Sequence, residues 1–131
     1  MKHNDGPICN SCSFKLQEGH EKLTEWFNYF KEKYPEMHTS CVYRGKEDQD
    51  NDYKTGVSKL QYPDSYHNKT PSQAIDIFTI VYGKAIFDVS FYSKIWDETK
   101  VKYPEFEWGG NFPHLRDYPQ FQITLDASLH K

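Results

Sequence analysis

The chain has 131 residues, a formal net charge of −3, and a core vocabulary dominated by rings, with ten Tyr, nine Phe and three Trp. That length predicts one domain able to bury a core without disulfides or oligomerisation. The mild acidity excludes a general electrostatic case for nucleic-acid or membrane-surface binding, and no run of roughly eighteen apolar residues offers a bilayer span.

Residues 1–18 read as a polar leader containing Cys9-x-x-Cys12, followed by one domain over 19–131. Met1 to Ser13 has no apolar h-region, so no secretory signal peptide is expected and synthesis is placed in a cytoplasm. A target outside the cell would then be reached by lysis or within an assembly.

A helix is predicted from Gly19 to Tyr34, because Leu23, Trp26, Phe27, Phe30 and Tyr34 fall on one stripe and Pro35 ends it. A short strand, about His38 to Arg44, comes next. The polar stretch Gly45 to Thr55 reads as a second helix stopped by Gly56. Lys59 to Ser72 reads as loop, marked by Pro63, Asp64, Asn68 and Pro71.

Ala74 to Tyr82 is the strongest strand signal, with Ile75, Ile77, Phe78, Ile80 and Val81 in a nearly continuous apolar run. That pattern predicts a central strand buried on both faces. Gly83 breaks it, and Lys84 to Val89 can pair back as a hairpin. Asp88 or Ser90 is placed to cap a third helix carrying Phe91, Ile95 and Trp96. Strands near Phe106–Trp108 and Gln120–Leu125 complete an α+β domain, with helices packed on a small, mainly antiparallel sheet.

His67 in a loop, followed by Asp76 inside the apolar strand, is the first chemical signal. Aspartate is disfavoured in strands and costly to bury, so it needs a charged partner, a set of donors or a metal. A hydrogen-bonded loop anchor and a pair of metal ligands are both open on these two residues alone. A hydrolytic zinc site wants three protein ligands and a water.

Five segments carry a wider pattern. They are Ser40-Cys41-Val42-Tyr43-Arg44-Gly45 with Glu47-Asp48-Gln49, Ser65-x-His67, Pro71-Ser72-x-Ala74-Ile75-Asp76, Trp108-Gly109-Gly110, and Asp117-x-Pro119-x-Phe121-Gln122. In this order they resemble the zinc D-alanyl-D-alanine carboxypeptidase family of VanY/VanX type. That family includes the vancomycin-resistance dipeptidases and the phage L-alanyl-D-glutamate endolysins. The resemblance covers about residues 20–125. The long interval from His67 to Asp76, with its Pro-Ser, looks like the phage and prophage branch.

The resemblance implies a hedgehog/DD-peptidase-like architecture and hydrolysis of peptidoglycan stem peptides by zinc-activated water. His67 and Asp76 match the first two zinc ligands, and Asp117 matches the acidic general base. Arg44 matches the basic residue that steadies substrate or the developing oxyanion, although a salt bridge tying strand to helix explains it equally. Gln49 and Ser65 would assist at the substrate side, and Trp108 would shape the pocket floor. The implied partner is a peptidoglycan peptide, met after lysis or from a phage particle.

Gln120 departs from the pattern, which has histidine there, three residues after the acid. A glutamine offers a metal only a neutral carbonyl oxygen. His114 is a candidate substitute. Three readings remain open: an active peptidase with an atypical or weakened site, a non-catalytic cell-wall-binding or virion structural protein on the same fold, and an introduced change that disables an ordinary enzyme.

The three cysteines give no disulfide framework. Cys9, Cys12, His38 and Cys41 have the number and chemistry of a second, structural zinc site. Against this, His38 and Cys41 sit three apart near a strand, where side chains at that offset point to opposite faces. Ordinary thiols, with Cys41 a small buried residue, are the alternative, and a redox or zinc-ribbon module built on the cysteines is the rival functional class.

Overall fold

The structure is a computed structural model that describes residues 10–113 and 116–124. Among these residues, four α-helices and five strands follow in the order α1 (Asn10–Leu16), α2 (Glu21–Lys33), β1 (Met37–Cys41), α3 (Lys46–Lys54), β2 (Ala74–Val81), β3 (Lys84–Ile86), α4 (Val89–Lys102), β4 (Phe106–Trp108) and β5 (Gln120–Ile123). A single 3₁₀ turn, Tyr66–Asn68, interrupts the long loop between α3 and β2. Among the described residues no helix is long and apolar enough to cross a membrane.

The sheet runs β1-β2-β5-β4, and every pairing is antiparallel. β1 and β3 both reach Thr79, so β3 lies on the opposite edge of β2, in line with β5. The predicted α+β class is the observed one. The β2–β3 connection is two residues, Tyr82 and Gly83, both at positive φ (51° and 76°). That is the turn whose twist matches a hairpin.

β2 differs from expectation on one face. Ile75 and Ile77 are fully buried, while Asp76, Phe78 and Ile80 on the alternate face are only half-buried. The strand is central, but its second face serves the site rather than a second core layer.

The first face packs against α2 and α4. Trp26 of α2 is fully buried between Phe30, Phe106 and Phe121, with ring centroids 5.4, 5.4 and 5.1 Å away. Its indole nitrogen donates to Thr99 Oγ1 of α4 at 3.0 Å. Asp88 caps α4 by accepting from the Ser90 N–H. Trp26→Ala is therefore expected to cost about 3–5 kcal/mol in chemical denaturation, as buried ring deletions do. Phe14→Ala, at a ring 74% exposed, should change stability by less than about 0.5 kcal/mol.

The polar leader is partly built into the domain. Asn10–Leu16 forms α1, and Cys12 and Leu16, one turn apart, are buried in the core cluster. Gly19 then joins Ser72 in an isolated bridge.

β1 carries a bulge. His38 pairs with Phe78 and Cys41 with Asp76, leaving Ser40 as the extra residue. The bulge reverses the alternation, so His38 and Cys41 share the face of Asp76 instead of facing opposite ways.

Candidate active site

Arg44, Ser65, Tyr66, Asp76, Phe112, Asp117, Gln120 and Gln122 line one cavity of about 360 Å³ on the second face of the sheet. Asp76 and Gln120 are directly opposed across β2 and β5. A larger depression, about 790 Å³ between α1, β1 and α3, reaches Arg44 from the other side but includes neither Asp76 nor Asp117.

His67 lies beneath this floor, 0% exposed. Ser65 sets it there: its hydroxyl accepts from the His67 N–H at 3.1 Å, and Asn68 Oδ1 takes the Ser65 N–H at 3.0 Å. These reciprocal bonds form a capping box on the 3₁₀ turn. The His67 Nδ1 is 2.8 Å from the Val42 carbonyl oxygen, which only accepts, so Nδ1 carries a proton. Nε2 then faces Asp76 Oδ1 at 3.2 Å.

That separation suits a shared cation. Two donors about 2.0–2.1 Å from one tetrahedral ion lie roughly 3.3 Å apart, and a carbonyl-held Nδ1–H is the usual outer support of a ligating imidazole. Without a cation the same pair is an ion pair: burial pulls the His67 pKa down, but the Asp76 charge and hydrogen bond, with Cys41, raise it to about 10. Cys41, His67 and Asp76 are the one group of three metal-capable side chains among the described residues. Cys41 Sγ lies on the Nδ1 side of the ring, 3.7 Å away, so Nε2 selects Asp76 as its neighbour.

Arg44 ties the site together. Its guanidinium pairs with Asp76 at 3.6 Å and Asp52 at 3.3 Å, and donates to Gln49 Oε1 at 3.0 Å. Asp52 carries no sequence signal beyond the helix pattern, which places it on α3 four residues after Asp48. Gln49 is fully buried and also donates to Ser58 Oγ and the Leu60 carbonyl. It is a brace for Arg44 and the following loop, and it does not line the cavity. Ser65 does line it, but its hydrogen bonds serve His67.

Asp117 stands at the rim, on a tight turn. The Asp117 carbonyl accepts from the Gln120 N–H at 3.1 Å, and the Asp117 N–H donates to the Gly109 carbonyl at 2.9 Å. Burial and the Asp76 charge push its carboxyl up to about 6, against the opposing pull of His67 and Arg44. The folded chain thus holds this proton more tightly than the unfolded chain. The resulting stabilisation is full below the ordinary carboxylate range and is lost as pH rises through about 6. Asp117→Asn is expected to raise the Tm of metal-free protein at pH 8 by a few degrees, with the gain vanishing near pH 4. Allowing for partial exposure, that corresponds to about 1 kcal/mol.

Trp108 is not on the pocket floor. β4 pairs with β5 so that Trp108 opposes Phe121 on the core face, where it stacks on Phe121 and Trp96. Its indole nitrogen donates to the Tyr118 carbonyl at 2.7 Å, pinning the turn that carries Asp117.

The proposed second zinc set is divided. Cys12 Sγ and His38 Nδ1 meet at 3.6 Å, and Cys12 also accepts from the Thr39 N–H. Cys41 instead contacts His67 and Arg44 at 3.7 Å each. Cys9 and His114 lie outside the described residues.

No protein-family model matches the chain, and no curated protein matches it. Among solved structures, it is similar to the Serratia marcescens L-Ala D-Glu endopeptidase ChiX, with a TM-score of 0.72 and 22% identity over 88% of this chain and 87% of that one. The chain therefore shares the α+β fold of that endopeptidase, with the His67–Asp76 pair and Asp117 gathered at one cavity.

Proposed function

We propose that this protein is a metal-dependent peptidase that hydrolyses peptidoglycan stem peptides. The observation that carries the reading is the His67–Asp76 pair, spaced for one cation, beside the Asp117 carboxyl, which burial and the Asp76 charge push up to about 6. A divalent cation bound there, zinc in the first instance, would polarise the scissile carbonyl and acidify the attacking water. Asp117, once ionised, accepts the proton of that water and returns it to the departing amine. Arg44 fixes the Asp76 carboxylate and offers positive charge to the developing oxyanion.

The stem-peptide substrate is drawn from the motif pattern and from the activity of ChiX. Either a D-Ala–D-Ala or an L-Ala–D-Glu bond is compatible with it. Cytoplasmic synthesis, with access to the wall on lysis or from a phage particle, completes the proposal. Gln120 in place of histidine favours one second reading, a wall-binding or virion structural protein that keeps the groove without the chemistry.

Purified peptidoglycan treated with chelator-stripped protein should yield new amino termini only after a divalent ion is restored, and mass spectrometry of the released peptides would identify the bond. Release that persists in chelator would contradict the metal-dependent reading. No release under any condition, with the protein still sedimenting with peptidoglycan, would favour the binding protein.

A further inference from the structure

Gln120 and Gln122 stand two residues apart on β5, so both side chains leave the sheet on the face of Asp76. They are 9% and 8% exposed. Gln120 Nε2 donates to Gln122 Oε1 at 2.6 Å, and Gln122 Nε2 donates to Glu107 Oε1 at 3.0 Å. Glu107 faces Gln122 across the β4–β5 pair, so the sheet register itself lines up this three-residue relay.

The direction of the relay is set at its far end. A carboxylate only accepts hydrogen bonds, so Gln122 must turn its NH₂ to Glu107 and its carbonyl to Gln120. Gln120 must then use its own NH₂ on Gln122, which leaves its Oε1 for the remaining direction. Gln120 opposes Asp76 across the sheet and lines the cavity with it.

We infer that Glu107 and Gln122 are positioning residues that present the carbonyl oxygen of Gln120, and not its NH₂, to a divalent cation held by His67 and Asp76. The inference rests on the metal-dependent reading above. A lone glutamine could turn either end to a cation, and the wrong end would repel it; the relay removes that choice. It also gives the departure from histidine a chemical consequence. One imidazole nitrogen with oxygens from Asp76 and Gln120 is a harder donor set than one with two imidazoles, and it narrows the advantage of Zn²⁺ over Mn²⁺. The same relay would accept the Nδ1–H of the imidazole in Gln120→His, so that variant should tighten Zn²⁺ more than Mn²⁺.

The test is the affinity of metal-free protein for Zn²⁺ and for Mn²⁺, each alone, by competition with a fluorescent chelator. Glu107→Gln is close in shape at an exposed position, and its NH₂ can donate to Gln122, which frees the relay to reverse. It should weaken both ions by about tenfold or more, the usual effect of losing an outer partner of a ligand. Gln122→Leu, which removes the middle of the relay, should do the same, with the far-UV spectrum of each variant unchanged. Suppose the wild type binds an ion and His67→Ala loses it, yet Glu107→Gln and Gln122→Leu both bind as the wild type does. The relay inference is then wrong while the metal-dependent reading stands. If the wild type binds neither ion, or His67→Ala binds equally well, both fall.

Discussion

Asp117→Ala is expected to lower peptide hydrolysis by roughly 10²–10⁴-fold, the range a positioned general acid–base supplies. The effect should fall on kcat, because the role proposed for Asp117 is on water and leaving group rather than on the bulk of the substrate. Its position makes it effective: burial and Asp76 bring the carboxyl up to about 6, close enough to neutrality both to take a proton and to give it back. An acid limb in the pH–rate profile should accompany it, with activity rising as Asp117 ionises. A bound cation would move that limb to lower pH by favouring the carboxylate. Hydrolysis unchanged in Asp117→Ala would remove Asp117 from the mechanism.

Gly109→Ala is expected to be nearly as damaging, for a steric reason. A Cβ on Gly109 would overlap the Asp117 carbonyl oxygen and come within 2.9 Å of its carbon. The obstacle is backbone, so no side-chain rotation relieves it. The Gly109 carbonyl also accepts from the N–H groups of Asp117 and Phe112, at 2.9 and 3.1 Å, which couples any shift directly to the Asp117 carboxyl. Overpacking of this kind costs about 1–3 kcal/mol and occasionally more, and a displacement of about 1 Å at a reacting group costs on the order of 100-fold in rate. A lowered denaturation midpoint together with a kcat loss far larger than the unfolded fraction explains would bear this out. Wild-type kcat and stability would mean that the Asp117 turn tolerates movement.

Much of this fold was legible because its signals are local. The aromatic stripe of α2 ends at Pro35, the apolar run of β2 stops at the Tyr82–Gly83 turn, and Asp88 announces α4. The candidate site is legible through the family resemblance: Asp76, Asp117 and Gln120, which fall in its motifs, line one cavity, and His67 lies beneath it against Asp76. What was missed depends on pairing between distant segments. The bulge at Ser40, which turns Cys41 toward His67, exists only because β1 pairs with β2. In sequence Trp108 reads as a pocket residue, yet its face is fixed by register with Phe121. Gln49 and Ser65 look like substrate contacts in sequence, and become braces once their hydrogen-bond partners are visible. The helix α1 did carry a signal in Cys12 and Leu16, one turn apart in a polar stretch. Gln122 closes one of the motifs, but only the alternation that places it beside Gln120 points to a role, and Glu107 carries no signal at all.

The most direct single measurement is native mass spectrometry of the stripped chain titrated with Zn²⁺, in the wild type and in His67→Ala. One retained ion per chain in the wild type, lost in His67→Ala, is the predicted result. No retained ion, or equal retention in both, would contradict a metal centre built on His67 and Asp76.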